Sequence, residues 1–205
     1  MRAMPNIMRT VGILATVWAL AGCGATRPSK FYSIDLPVAS APAGKPWPVS
    51  LLVGRVTAPH ILRDDRIAYR MSPTQIGMYD YHRWSEPPAT MMEALLVRRL
   101  RAEGRFRSVL ALSSNARGEF VLRGRLHQFE EVAAGAGLTA RVALEVELFE
   151  RSSGTAVWSN LYSADEPVSG KEVPAVVEAL NRGTQRALEQ VTSGINAYFT
   201  AHPPK

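Results

Sequence analysis

Four histidines, one cysteine and three adjacent acidic pairs are the side chains of this 205-residue chain from which chemistry could be built. His60, His82, His127 and His202 never fall three or four residues apart, so no helical imidazole pair exists to hold zinc. A lone cysteine excludes an intramolecular disulfide framework and any cysteine-clustered zinc site. Asp64-Asp65, Glu130-Glu131 and Asp165-Glu166 could be offered as acid–base pairs. Neighbours on a strand point to opposite faces, however, so Glu130-Glu131 is a poor pair if that segment is a strand. Solvated loop acids are the simpler reading of all three. His127 alternates with Arg125 and Phe129 and reads as a surface residue. The chain contains neither a nucleophile elbow nor a Walker-type phosphate loop. Gly135-Ala136-Gly137 precedes a strand pattern rather than a helix, so it lacks the helix N-terminus that binds phosphate. The expectation is a protein without catalytic residues, metal or cofactor.

The cysteine is informative through its position. Arg2 and Arg9 precede an uncharged apolar stretch, Val11 to Leu20, and small residues follow it, which is the layout of a secretory signal peptide. The stretch is shorter than the roughly 20 residues a membrane-spanning helix needs. Leu20-Ala21-Gly22-Cys23 resembles the lipobox of bacterial lipoproteins. That resemblance implies cleavage between Gly22 and Cys23, a diacylglycerol on the Cys23 thiol and an acylated new amine. Three acyl chains far exceed the marginal anchoring given by one. Gly24, where Asp would signal inner-membrane retention in this class, makes the periplasmic face of the outer membrane the expected location, with the inner membrane as the lesser reading.

Composition is that of a globular protein, 46% apolar and 20% charged. The formal charge of +6 drops to +4 once Arg2 and Arg9 are removed, too little to imply a nucleic-acid partner.

The remaining chain divides by pattern. Residues 23–48 read as the lipidated N-terminus and a Pro-rich tether, because Pro37 to Pro48 contains four prolines and no apolar period. Phe31 to Leu36, aromatic and β-prone, could instead dock as an edge strand. Residues 49–205 are expected to form a single periplasmic α+β domain. Strands are predicted over Ser50–Thr57, Arg66–Met71 and Gln75–Trp84. Pro87-Pro88 then opens a helix whose Met91, Met92, Leu95, Leu96 and Leu100 share one face, ended by Gly104. A strand over Phe106–Leu112 precedes a three-stranded meander, anchored by the strict alternation of apolar residues from Leu138 to Leu148. A long amphipathic helix closes the chain, with Ser169 and Glu172 placed for a capping box and Pro174 in its first turn. The order βββ-α-ββββ-α lacks regular strand–helix alternation. It points to an α+β fold, a largely antiparallel or mixed β-sheet with two packed helices.

Two surface runs invite a functional reading. Arg98, Arg99 and Arg101 belong to a basic cluster that could meet anionic headgroups or an acidic partner, or simply form the polar face of the first helix. The stretch Tyr79 to Pro87 concentrates amphipathic residues. Its Tyr81, Arg83, Trp84 and Glu86 are candidates for partner binding, although such side chains also pack routinely under loops.

The segment Arg70 to Arg99, above all the R-W-S-E-P-P helix start and the following M-E-A-L-L-V-R-R-L, resembles the auxiliary lipoproteins of ABC-type transport systems, the PqiC-like family. F-Y-S-I-D-L after the lipobox and the phenylalanines Phe120, Phe129 and Phe149 resemble it as well. Pro88, where that family would carry Leu, is a departure, and so is the long Pro-rich stretch. The resemblance implies a non-catalytic auxiliary component, held to the membrane by its N-terminal lipid. Its partners would be an MCE-domain protein and ABC transporter subunits, which move lipids or hydrophobic molecules between the envelope membranes. Self-association into a homo-oligomer stays open. The competing reading is a lipoprotein that regulates or assembles another envelope machine, a cell-wall synthase or an outer-membrane translocon.

Overall fold

The computed structural model describes residues 27–37, 44–112, 115, 117–135 and 137–204. The signal-peptide segment, the lipobox residues Leu20, Ala21 and Gly22, and Cys23 itself lie outside them. Eight strands form one mixed sheet: β1 Lys30–Tyr32, β2 Trp47–Thr57, β3 Arg66–Ser72, β4 Gln75–Trp84, β5 Phe106–Ala111, β6 Phe120–Ala134, β7 Gly137–Glu150 and β8 Ala156–Pro167. Two helices complete the fold, α1 Pro88–Glu103 and α2 Val173–Ala201. The α+β architecture and the element order follow the sequence pattern, with β1 added in front. The folded body therefore starts earlier than Val49. Lys30, Phe31 and Tyr32 pair in parallel with His82, Arg83 and Trp84, and Ile34 is buried in the core. Residues 30–36 are thus part of the domain and not of a tether.

Strand β6 organises the sheet. Along one edge it carries β7 in antiparallel register over nearly its whole length, and β7 in turn carries β8. Its other edge is shared by two strands in succession. Residues 120–125 pair in parallel with β2, and residues 130–132 with β3. Between these partners the chain leaves the sheet through a single 3-10 turn, His60–Arg63, whose Leu62 plugs the core. β5 extends the sheet beyond β2, while β4 and then β1 extend it beyond β3.

Both helices lie on one face. α1 packs on β2 and β5 and α2 on β7 and β8, which buries the predicted α1 residues Met91, Met92, Leu95, Leu96 and Leu100. Gly104 takes the left-handed conformation at φ 62° and its N–H bonds the carbonyl of Arg101, ending the helix. In α2, Phe199 completes the buried stripe, and it gathers Trp47, Phe106 and Phe120 around its ring. Glu172 caps this helix without a side-chain hydrogen bond, so the Ser169–Glu172 box is not formed, although Pro174 does sit in the first turn.

A β-bulge at His127 changes which side chains β6 sends inward. Leu126 pairs with Leu144 but the next pair is Gln128 with Ala143. Inward positions are therefore 120, 122, 124 and 126 before the bulge, then 129 and 131 after it. Phe129, expected beside His127, lies on the opposite face in the core, while His127 reaches Glu145 at 2.8 Å on the open face.

Candidate functional site

The helix layer covers the β2–β5 and β7–β8 parts of the sheet, and neither helix packs substantially on β3 or β4. Where it runs out, the inward face of β3, β4 and the end of β6 forms a cleft of about 530 Å³, lined by Arg27, Tyr69, Met71, Met78, Tyr79, Asp80, Tyr81, His82 and Glu131. Strand periodicity delivers this set. The bulge in β6 turns Glu131 inward opposite Tyr69, and Gly77 leaves room for the Tyr69 ring, since a Cβ there would stand 2.5 Å from it. Tyr69 packs on Tyr79 with ring centroids 4.9 Å apart. The Tyr79 hydroxyl donates to Glu131 Oε2 at 2.8 Å. A second irregularity, between the β3–β4 pairs of Ala68 and Arg66, lets His82 meet Tyr79 edge-on at 5.8 Å. Tyr32 of β1 stacks on His82 from the other side, its hydroxyl 2.9 Å from Nδ1.

The protonation states of this cluster follow from its surroundings. Burial raises the Tyr79 hydroxyl well above its ordinary range, and the Glu131 carboxylate adds to that. Burial raises Tyr32 as well. His82 is pushed below its usual value, first by burial and then by the charges of Lys30 and Arg27. Tyr32 keeps its proton and His82 is neutral near pH 7, so a single neutral hydrogen bond joins the hydroxyl and Nδ1, its direction set by the ring tautomer. The arrangement offers aromatic surface and fixed hydrogen-bond groups, with no nucleophile activated by a neighbouring base.

The acidic pair Glu130-Glu131 is split between the two faces. Glu131 bonds Tyr79 on the inward face, while Glu130, its side chain 2% exposed, accepts from Arg70 at 2.7 and 3.2 Å on the other. Asp64 is clamped by Arg66, which holds its carboxyl far below the ordinary range. Asp165 pairs with Arg141, and Glu166 with Arg182 and Arg186. Among the described residues, no group of three His, Cys, Asp or Glu side chains is placed to hold a metal ion.

The residues singled out in the sequence separate on inspection. Trp84 is 1% exposed, buried beside Phe129 with ring centroids 5.2 Å apart, so it is a core residue and cannot touch a partner. Arg83 is engaged with Asp65 at 2.5 Å. Tyr81 and Glu86 are exposed, the first on the cleft and the second on the turn into α1. The three arginines of α1 are each occupied within the fold. Arg98 donates to the Leu36 carbonyl at 3.1 Å, Arg99 pairs with Glu103 at 3.3 Å, and Arg101 donates to the Val109 carbonyl at 2.8 Å. Arg98 and Arg101 tie the N-terminal segment and β5 to the helix, while Arg99 pairs within it. Sequence reasoning missed the cleft, whose members are scattered over β3, β4, β6 and the segment before β1. The signal available was the tyrosine spacing of β3 and β4 with the isolated Gly77 between them.

The family model described as ABC-type transport auxiliary lipoprotein component matches residues 32–192. The chain belongs to this family. Its match begins inside β1 and ends in α2, so the sheet and both helices fall almost wholly within it. Among solved structures, a protein from Xanthomonas campestris is 25% identical with a TM-score of 0.74, covering 85% of this chain and 99% of that one. An uncharacterised protein at 15% identity and TM-score 0.65 covers 82% and 99%. A hypothetical protein from Chlamydia trachomatis, at 10% identity and TM-score 0.51, covers 75% and 99%. The last two share the fold alone. A comparison with curated proteins finds no match. Membership makes this chain an auxiliary lipoprotein of ABC-type transport, a lipid-anchored protein of the cell envelope. Among the described residues no helix is long and apolar enough to cross a membrane.

Proposed function

We propose that this auxiliary lipoprotein is a non-catalytic subunit, acylated at Cys23 and held at the periplasmic face of the outer membrane. There it docks an MCE-domain protein and its ABC transporter subunits, in a system that moves lipids or other hydrophobic molecules between the envelope membranes. The family match over residues 32–192 carries this reading, directly downstream of the Leu20-Ala21-Gly22-Cys23 anchor sequence. With Trp84 in the core and Arg83 paired to Asp65, Glu86 is the member of the helix-start run left free to meet a protein partner.

The test is to crosslink intact cells, purify the mature protein through a C-terminal tag and identify what accompanies it by mass spectrometry. An MCE-domain protein recovered with ABC subunits is the expected result. Recovery of a cell-wall synthase or a translocon in their place would overturn it. Glu86→Arg, which reverses the charge of an exposed side chain and leaves the core untouched, is expected to weaken the complex. Unchanged assembly of that variant would remove Glu86 from the docking surface.

A further inference from the structure

The exposed large apolar side chains are not evenly spread. Of the five among the described residues, Phe31 at 64%, Met71 at 60% and Tyr81 at 41% belong to the β1, β3 and β4 end of the sheet, whereas Leu112, just past β5, and Leu161 of β8 stand elsewhere. Met71 and Tyr81 line the cleft together, and Phe31 sits one strand away, in register with Arg83. Two exposed cations frame them. The Arg27 guanidinium lies 5.3 Å from the centre of the Tyr81 ring, and Lys30 opens β1. The nearby acids include Glu131, bonded by Tyr79, Asp65, neutralised by Arg83, the exposed Asp80, and Glu172, whose charge also reaches His82.

The chain itself says what this edge meets. Cys23 precedes Arg27 by four residues, and an extended chain covers at most about 3.6 Å per residue, so their separation is no more than about 14 Å. β8, at the far side of the sheet, lies five strand spacings from β1, about 24 Å further out. A lipid on Cys23 therefore keeps Arg27, and the β1–β4 edge beside it, within about 14 Å of the bilayer surface, a constraint that does not reach β8. Aromatic rings with polar tips, flanked by Arg and Lys, are the composition that settles at the headgroup level, where rings enter the interface and cations meet phosphates.

We propose that the β1–β4 edge is a membrane-contact surface, seated on phospholipid headgroups through Phe31 and Tyr81 with Arg27 and Lys30 on the phosphates. This rests on the acylation of Cys23 assigned above. It sets the orientation of the domain: β1 and the tyrosine cleft face lipid, and β8 faces away from it. Tyr81 is thereby assigned to lipid, leaving Glu86 as the protein-facing candidate.

The experiment exploits the single native cysteine, whose thiol is blocked by the lipid. Phe31→Cys and, as a control, Leu161→Cys are made separately in the full chain, labelled with an environment-sensitive fluorophore and purified in the lipidated form. Both are reconstituted into vesicles of phosphatidylethanolamine and phosphatidylglycerol, with or without lipids carrying a shallow nitroxide quencher. Emission from position 31 should fall at least twofold with the quencher, and emission from position 161 should not change. Vesicle-bound protein in which the two positions are quenched alike, or in which position 31 is not quenched, would overturn the assigned edge while leaving the anchor intact. Protein that carries no acyl mass and stays out of the vesicle fraction would overturn the anchor, and the edge with it.

Discussion

Replacing Trp84 by Ala separates the two roles open to that residue in the sequence. The side chain is 1% exposed and packs on Phe129, and its backbone N–H is held by the Asp65 carbonyl at 2.6 Å. Truncation of a buried aromatic to Ala costs about 3–5 kcal/mol, because the transfer free energy of the ring is lost and the cavity closes only in part. For a domain of this size about 2–4 °C accompanies each kcal/mol, so Tm should fall by about 6–20 °C. The assay is urea and thermal unfolding of the chain begun at Gly24, followed by circular dichroism. Trp84→Phe sharpens it. The indole Nε1 is buried without a hydrogen-bond partner, an arrangement that costs about 1–3 kcal/mol. Phe keeps most of the apolar contact and discards the orphaned donor, so the variant should lie within about 1.5 kcal/mol of the parent. A Trp84→Ala protein that unfolds at the parent's midpoint yet fails to assemble would refute the core assignment and return Trp84 to the surface.

Three further outcomes follow from the same geometry. Arg70→Leu leaves the buried Glu130 carboxylate with only Gln128 as a hydrogen-bond donor; stability should drop by about 3 kcal/mol in urea unfolding, and adding Glu130→Gln should restore part of it. Arg98, Arg99 and Arg101 are engaged within the fold, so their combined replacement by Gln should lower Tm without reducing retention of the lipidated protein on anionic vesicles; lost retention at unchanged Tm would reverse that assignment. His82 is depressed in the folded state, so the unfolded chain binds the proton more readily and stability should fall as the pH drops below about 6.5. His82→Gln should show a smaller loss of Tm between pH 7 and pH 5 than the parent, and an equal loss would place the pH sensitivity elsewhere.

Much of the scaffold was legible because one-sided burial writes a period into the sequence. The alternation from Leu138 to Leu148 is β7, and Met91 to Leu100 is the buried face of α1. Legibility failed where a single residue breaks the period. The bulge at His127 reverses the inward set of β6, so Phe129 and Glu131 could not be placed by counting from Arg125. The role of β1 was similarly hidden. Three residues carry too little pattern to distinguish an edge strand from a linker, and only the pairing with His82 to Trp84 decides it. Trp84 was ambiguous because a large amphipathic ring suits a core and an interface equally, and the choice depends on whether Phe129 stands behind it. The cleft was illegible for a topological reason, since Tyr32, Tyr69, Tyr79 and Glu131 meet only once four strands are set in order.

That strand order also links the cleft to the anchor. A sheet with helices on one face buries that face as far as the helices extend, and here they stop at β6. The remaining inward surface, on β3 and β4, needs another cover. Part of it comes from its own rings, Tyr69 over Gly77 and Tyr79 over His82, and part from β1, which brings Tyr32 onto His82. Lys30 opens β1 seven residues after Cys23, so the strand that closes the sheet also limits how far from the domain the lipid can lie. A free linker of the length read from residues 23–48 would let the domain swing at any angle. Docking of residues 30–36 leaves only residues 24–29 between the lipid and the sheet and couples orientation at the membrane to folding of the sheet edge. Weakening the Ile34 contact, for example by Ile34→Asp, should therefore release the edge from the lipid surface and let the fluorophore at position 31 escape the quencher, while the helices, the meander and their buried residues keep the rest of the domain folded.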